Sequence, residues 1–434
     1  MANPPQDKGT SHEATPIPPF DALSKYVSPP TNDQEQWWHH TGSLLGRMLQ
    51  SAQYPLDQQY QYLKFFEGQV SPRLGPYPSR FRSNVTVSGD PVELSVNYQQ
   101  RGGTRPIVRI GFEAMDSYSG SKIDPFNQLP ASDVIRGLSR LELKGFDPHL
   151  FAYFGFRHTL TKEETDRLAD PELAGRTLLR SQYGFGLDLK NGSVVVKGYT
   201  FPGLKTVASG QSISELVTDS ISQLSQPKAS CADAWETVKG YMAETSSFNQ
   251  FHVWSWDYVD PSLSRLKFYS VSNEFTWRKV EEVWTVNKLL AADPVNIEGL
   301  KYLRQLWDII QPSDSERKVI EDRPAYIREH ETPLLWNYEM TPGSPIPYAK
   351  PYFSMHGIND LACVENLARF FEVAGLKDLA ASYPGIVKAY FPEHDLAKTS
   401  HLVMWVSYAY SEKTGIYLSV YYHSSGDVPV SSRA

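Results

Sequence analysis

Four stretches of this chain of 434 residues place basic residues and tyrosines at every second position of a strand-like run. They read Lys197-Gly198-Tyr199, Arg265-Leu266-Lys267-Phe268-Tyr269, Lys350-Pro351-Tyr352 and, with tyrosine alone, Tyr417-Leu418-Ser419-Val420-Tyr421. Successive side chains leave a strand on opposite faces, so each set shares one face. Lysine does not build a sheet core. A face that is cationic and aromatic together suits a diphosphate held by the cations, beside a carbocation shielded by rings.

Taken singly, Lys-Gly-Tyr fits a solvated edge strand, and any one tyrosine fits core or ladder packing. Recurrence decides between the readings. Arg109, Lys197, Lys267, Lys350 and Tyr417 follow one another at intervals of 88, 70, 83 and 67 residues, a period that marks repeated supersecondary units. If the units close into a ring, Arg109, Lys197, Arg265, Lys267 and Lys350 surround one point. Five inward cations repel one another unless an anion sits between them, and each charge-assisted bond to it contributes on the order of 1.5 to 3 kcal/mol. Glu93 is the one acid that points the same way in its strand, in phase with Ser95 and Asn97. It could be a structural partner for Arg109, or it could accept an indole N–H and push electron density onto the ring.

The elements that must position these residues repeat a single grammar. Helical spacing at Trp37 to Gln53 and Leu56 to Glu67 is broken by Pro55 and followed by two alternating runs, Pro91 to Tyr98 and Ile107 to Phe112, around Gly102-Gly103. Helical text then precedes Tyr183 to Leu189 and Val194 to Tyr199, joined by Asn191-Gly192, a strong hairpin signal. The same order predicts hairpins at Phe251 to Val271, Leu334 to Ser354 and His401 to His423, each preceded by two helices. Ten antiparallel strands with one apolar face each would leave two open edges in a flat sheet, so closure into a barrel is expected. The fold class is α+β: a ten-stranded antiparallel β-barrel of repeated ααββ units, ringed by helices, with a lumen wider than side chains alone can fill.

Composition bounds the rest. With 42 basic and 49 acidic residues the formal charge is −7, which argues against nucleic acid as a partner and makes the cations local. Two cysteines, Cys231 and Cys363, supply neither a disulfide framework nor a thiolate zinc cage and fit the reducing cytoplasm. There is no apolar run long enough to span a membrane. Residues 1–20 are polar and proline-rich and read as a disordered leader, with 21–434 as one barrel domain. No Asp-Asp-x-x-Asp, P-loop, Rossmann or Gly-x-Ser-x-Gly motif occurs. Asn359-Asp360 reads as a helix N-cap.

The motifs, in unbroken order over roughly residues 30 to 425, resemble the fungal indole prenyltransferases of the dimethylallyltryptophan synthase type. The family-like segments are Pro91 to Ser95, Val108-Arg109-Ile110, Val196 to Tyr199, Arg265 to Tyr269, Tyr352-Phe353 and Tyr417 to Tyr421. The resemblance implies transfer of a dimethylallyl group from dimethylallyl diphosphate to an indole-containing small molecule, with no metal or other cofactor. By residue, Glu93 resembles the glutamate that holds the indole N–H. Arg109, Lys197, Arg265, Lys267 and Lys350 resemble the diphosphate set, and Tyr199, Tyr269, Tyr352, Tyr417 and Tyr421 its aromatic shield. A homodimer is compatible with this.

Two departures bear on the acceptor. Where members acting on free tryptophan carry a lysine, thirteen residues before Lys197, stands Gly184; where they hold the carboxylate with an arginine, thirteen residues before Arg265, stands His252. A tryptophan-containing cyclic dipeptide or related indole alkaloid is therefore expected in place of free tryptophan. Lys350 stands where several members have glutamine. The alternatives are prenylation of a phenol or tyrosine oxygen, and a non-catalytic ligand-binding barrel, for which inward cations would have no use.

Overall fold

Ten strands form: β1 (Val92–Gln99), β2 (Ile107–Phe112), β3 (Tyr183–Lys190), β4 (Ser193–Thr200), β5 (Val253–Asp257), β6 (Leu266–Ser272), β7 (Leu334–Met340), β8 (Tyr348–Ser354), β9 (Val403–Ser411) and β10 (Gly415–Tyr422). Each pairs antiparallel with its sequence neighbours, and β1 pairs with β10, so the sheet is a closed barrel. The structure is a computed structural model that describes residues 17–103, 105–168, 180–224, 230–248, 252–272, 274–310 and 334–423. Of the expected leader, residues 1–16 lie outside the described residues, and Pro19–Ser24 is helical.

The hairpins form where turn chemistry demands. Asn191 and Gly192 take φ of 53° and 71°, the paired left-handed values that match a tight hairpin to the twist of its strands. Outward side chains pack on the surrounding helices. Trp254 and Trp256 of β5 set their rings 5.5 and 5.2 Å from that of Phe154, and Tyr408 of β9 donates to the carbonyl of Gly299 at 2.8 Å. Fully burying one such aromatic stabilises the fold by on the order of 3 kcal/mol. Gly198 belongs to this outer face, because a Cβ there would lie 2.4 Å from the indole of Trp256. The glycine of the Lys-Gly-Tyr motif is thus a packing requirement between two lumen-facing side chains.

Helices follow the expected order with differences of local cause. Asn32–Trp37 and Ser43–Ser51 are joined by a π turn, Trp38–Gly42. Asn359 caps Asp360–Val373 by accepting from the Ala362 N–H at 3.1 Å. Asp360 itself accepts the backbone N–H of Val403 at 2.8 Å, which ties that cap to β9. The first of the two helices expected before the Leu334 hairpin is Trp277–Trp284, and it ends where Val286, Asn287 and Lys288 turn to positive φ. Of the helical text before Tyr183, Lys162–Leu168 is a helix and residues 169–179 lie outside the described residues. Helix His149–His158 escaped prediction because its aromatic run has no polar stripe; His158 in it is buried and meets Thr200 Oγ1 at 3.0 Å and Ser220 Oγ at 2.8 Å.

Candidate active site

The lumen is a cavity of about 780 Å³. All eleven expected residues line it: Glu93, the cations Arg109, Lys197, Arg265, Lys267 and Lys350, and Tyr199, Tyr269, Tyr352, Tyr417 and Tyr421. Strand polarity sorts them into levels. On β4, β6 and β8 the cation precedes the tyrosine by two residues, and these strands run the same way, so each ring sits about 6.6 to 6.8 Å along its strand from its cation. Tyr199, Tyr269, Tyr352 and Tyr421 form a continuous band, with centroids 6.2, 6.1 and 6.1 Å apart. Tyr417 belongs to the cation level, with the Arg109 guanidinium and the Lys350 Nζ 5.3 and 5.2 Å from its ring centre. It also accepts a short hydrogen bond from Arg109.

The cations do not face one another bare, as the sequence reading supposed. Register sets Arg109 opposite Asp188, Lys197 opposite Asp257 and Lys267 opposite Glu339, the cross-strand arrangement that favours opposite charges. Asp188 lies 3.1 Å from Arg109 and 2.6 Å from Lys197. Arg265 reaches Asp257 at 2.7 Å and Glu339 at 3.1 Å. Burial pushes Asp188 up, but Arg109 and Lys197 overcome it and hold the carboxyl well below its ordinary range. Against the same penalty, Lys267 and Arg265 hold Asp257 at about 2. Arg109, Lys197, Arg265, Lys267 and Lys350 outnumber the three carboxylates Asp188, Asp257 and Glu339 at this level. The Nζ of Lys267 stands 3.6 and 3.8 Å from Asp257 and Glu339, with no hydrogen-bond partner among the described residues.

Glu93 lies past this level, opposite Gly111 of β2, a two-residue step beyond Arg109. Protein walls surround it, its carboxyl keeps an open side toward the cavity, and burial pushes its pKa up to about 8. No described residue donates a hydrogen bond to it. Gly111 faces it across the ladder, and the cavity lining also includes Gly184, Gly186, Phe201, Val253 and Leu335. Gly184 lines the cavity. His252 does not face it. That side chain leaves the outer face of the barrel and stacks on Phe268 at 4.9 Å and 23°, whereas its neighbour Val253 lines the lumen.

Sequence reasoning missed Asp188, Asp257 and Glu339 as the cations' partners, and Ser419 as a support that accepts from Arg109 at 3.1 Å. Asp188 carried a local signal, since it shares strand phase with Gly184. Among the described residues, no group of three or more His, Cys, Asp or Glu side chains is placed to hold a metal ion. Nor is any described helix long and apolar enough to cross a membrane.

Residues 33–385 match the model of a family described as tryptophan dimethylallyltransferase. The chain belongs to that family. It is accordingly an aromatic prenyltransferase, and it is 49% identical over 407 residues to tryptophan dimethylallyltransferase nptA of Emericella nidulans, covering 93% of each chain. It is 41% identical over 412 residues to echinulin prenyltransferase 1 of Aspergillus ruber, covering 95% of this chain and 98% of that one. Its barrel superposes on the crystal structure of NotF in complex with brevianamide F and DMSPP with a TM-score of 0.85 and 36% identity, covering 95% and 100% of the two chains.

Proposed function

We propose that this prenyltransferase transfers a dimethylallyl group from dimethylallyl diphosphate to the indole ring of a neutral acceptor, a tryptophan-containing cyclic dipeptide or related indole alkaloid. The observation that carries the reading is the arrangement in one lumen: a level of cations and, a two-residue step further along the strands, a band of four tyrosines with the carboxyl of Glu93. Arg109, Lys197, Arg265, Lys267 and Lys350 hold the diphosphate. As the C–O bond breaks and the electron pair leaves with diphosphate, these groups neutralise the growing charge without reorganisation. The carboxylates that could have carried a metal are engaged by arginine and lysine, so the chain's own cations take that task and no cofactor is needed.

The allylic cation then lies against Tyr199, Tyr269, Tyr352 and Tyr421. Each desolvated ring face contributes up to about 2 kcal/mol and excludes water that would trap the cation. Glu93 accepts the indole N–H, which supplies electron density as a ring carbon attacks; loss of the ring proton completes the alkylation. Beside Glu93 and the tyrosine band the described lining adds glycines and apolar residues, Gly111, Gly184, Phe201 and Val253, which favours the neutral acceptor. Both cysteines are buried thiols, in keeping with a cytoplasmic enzyme.

The test is incubation with dimethylallyl diphosphate and a panel holding a tryptophan-containing cyclic dipeptide, free tryptophan and a phenol, read by product mass with chelator present. One added dimethylallyl unit on the cyclic dipeptide is expected, with activity retained in chelator. A preference for free tryptophan would overturn the acceptor reading. Activity lost in chelator and restored by magnesium would overturn the cationic diphosphate site.

A further inference from the structure

Lys350 differs from the other cations of the lumen in what it lacks. Arg109, Lys197, Arg265 and Lys267 each have a carboxylate within 4 Å, at 3.1, 2.6, 2.7 and 3.6 Å respectively. Among the described residues, Lys350 has none. Its register partner on β7 is the amide Asn337, which donates instead to Tyr352 Oη at 3.0 Å. The ammonium position is bounded by the rings of Tyr352 and Tyr417, 5.3 and 5.2 Å from their centres. The charged groups that act on it are the like-charged Arg109 and Lys197 and, with opposite sign, Glu339 and Asp188, which are already engaged by other cations. Burial is the largest influence on Lys350, and with Arg109 and Lys197 it pulls the pKa well below the usual lysine range.

We propose that Lys350 is uncharged in the empty lumen and takes one proton from solvent when the diphosphate binds, so that capture of the prenyl donor is coupled to proton uptake. The inference rests on the diphosphate reading of the cation level. Without Lys350, four cations face Asp188, Asp257 and Glu339, Lys413 and Glu412 of the same lining offset each other, and the lumen holds little excess charge. An arriving diphosphate places an anion beside the amine, and the amine becomes the ammonium that this anion stabilises. The new N–H bonds form to a solvent proton, and no other bond changes. Once formed, the ammonium stays against the diphosphate while the C–O bond breaks.

The experiment is calorimetric titration of the intact protein with dimethylallyl thiolodiphosphate, without acceptor, in three buffers of different ionisation enthalpy at pH 8. There the analogue is fully ionised and any proton taken up belongs to the protein. The wild type is expected to take up about one proton per site, with affinity falling by up to about tenfold per pH unit above neutrality, the limit for one coupled proton. Lys350→Gln and Lys350→Arg should bind without that uptake, the arginine variant with affinity nearly independent of pH because its guanidinium is always charged. Binding by the wild type with no uptake overturns the proposal alone, as does equal uptake in both variants. Failure of the wild type to bind the analogue overturns the diphosphate reading with it.

Discussion

Replacing Glu93 with glutamine separates what this residue costs the fold from what it does for the reaction. Its carboxyl has no donor among the described residues, and burial moves it from 4.5 to about 8. At about 1.4 kcal/mol per pH unit, ionising it above pH 8 costs at most about 5 kcal/mol of stability. The open side of the carboxyl toward the cavity lowers that ceiling. The sign follows from the folded state binding the proton more tightly than the unfolded chain. Wild-type stability falls as pH rises from about 4.5 through about 8. Glu93→Gln removes the penalty and should unfold at higher denaturant than wild type at pH 8.5, by a few kcal/mol, with the difference vanishing near pH 4.5. The same substitution deletes the ionised acceptor of the indole N–H, and turnover should fall by about 100-fold or more, the scale of a lost positioned proton acceptor. Wild-type kcat/KM for the acceptor should rise with pH through about 8, a limb the variant lacks. Denaturant titrations at several pH values and the matching rate profiles provide the check. A variant no more stable than wild type at pH 8.5, or one as active as wild type, would refute the reasoning.

Three further outcomes follow from the same geometry. Asp188→Asn leaves Arg109 and Lys197 without their carboxylate and should cost about 3 to 5 kcal/mol, as breaking a buried pair does. Because the folded carboxyl lies below its ordinary 3.8, the deficit should be full above that pH and close as pH falls below it, read by denaturant unfolding. Tyr352→Leu removes one ring from the band; a loss of about 2 kcal/mol is about 30-fold in turnover. A larger share of the donor should then appear as dimethylallyl alcohol in the product analysis. Gly198→Ala sets a methyl 2.4 Å from the Trp256 indole. It should destabilise the fold by about 1 to 3 kcal/mol in thermal unfolding, while the lumen residues on either side stay chemically intact.

The sequence by itself determined which face of each strand carried the chemistry. Alternation is a local property, so Lys197 and Tyr199 point together whatever the strand's neighbours are, and the recurring helix–helix–hairpin text required a closed sheet to satisfy ten strands. It also placed Glu93 on the face shared with Ser95 and Asn97. What it could not supply was register. That Asp188 sits opposite Arg109, and Glu339 opposite Lys267, depends on how residues far apart in the chain align across the ladder, so the cation level was read as unbalanced. His252 shows the same limit. Counting thirteen residues back from Arg265 crosses the turn at Asp260-Pro261, where strand phase is reset, and the count arrives on the outer face. The register of the β7–β8 hairpin decided that Lys350 meets an amide, whereas Arg109, Lys197 and Lys267 meet carboxylates across the other ladders, and charge balance belongs to the ring of strands as a whole.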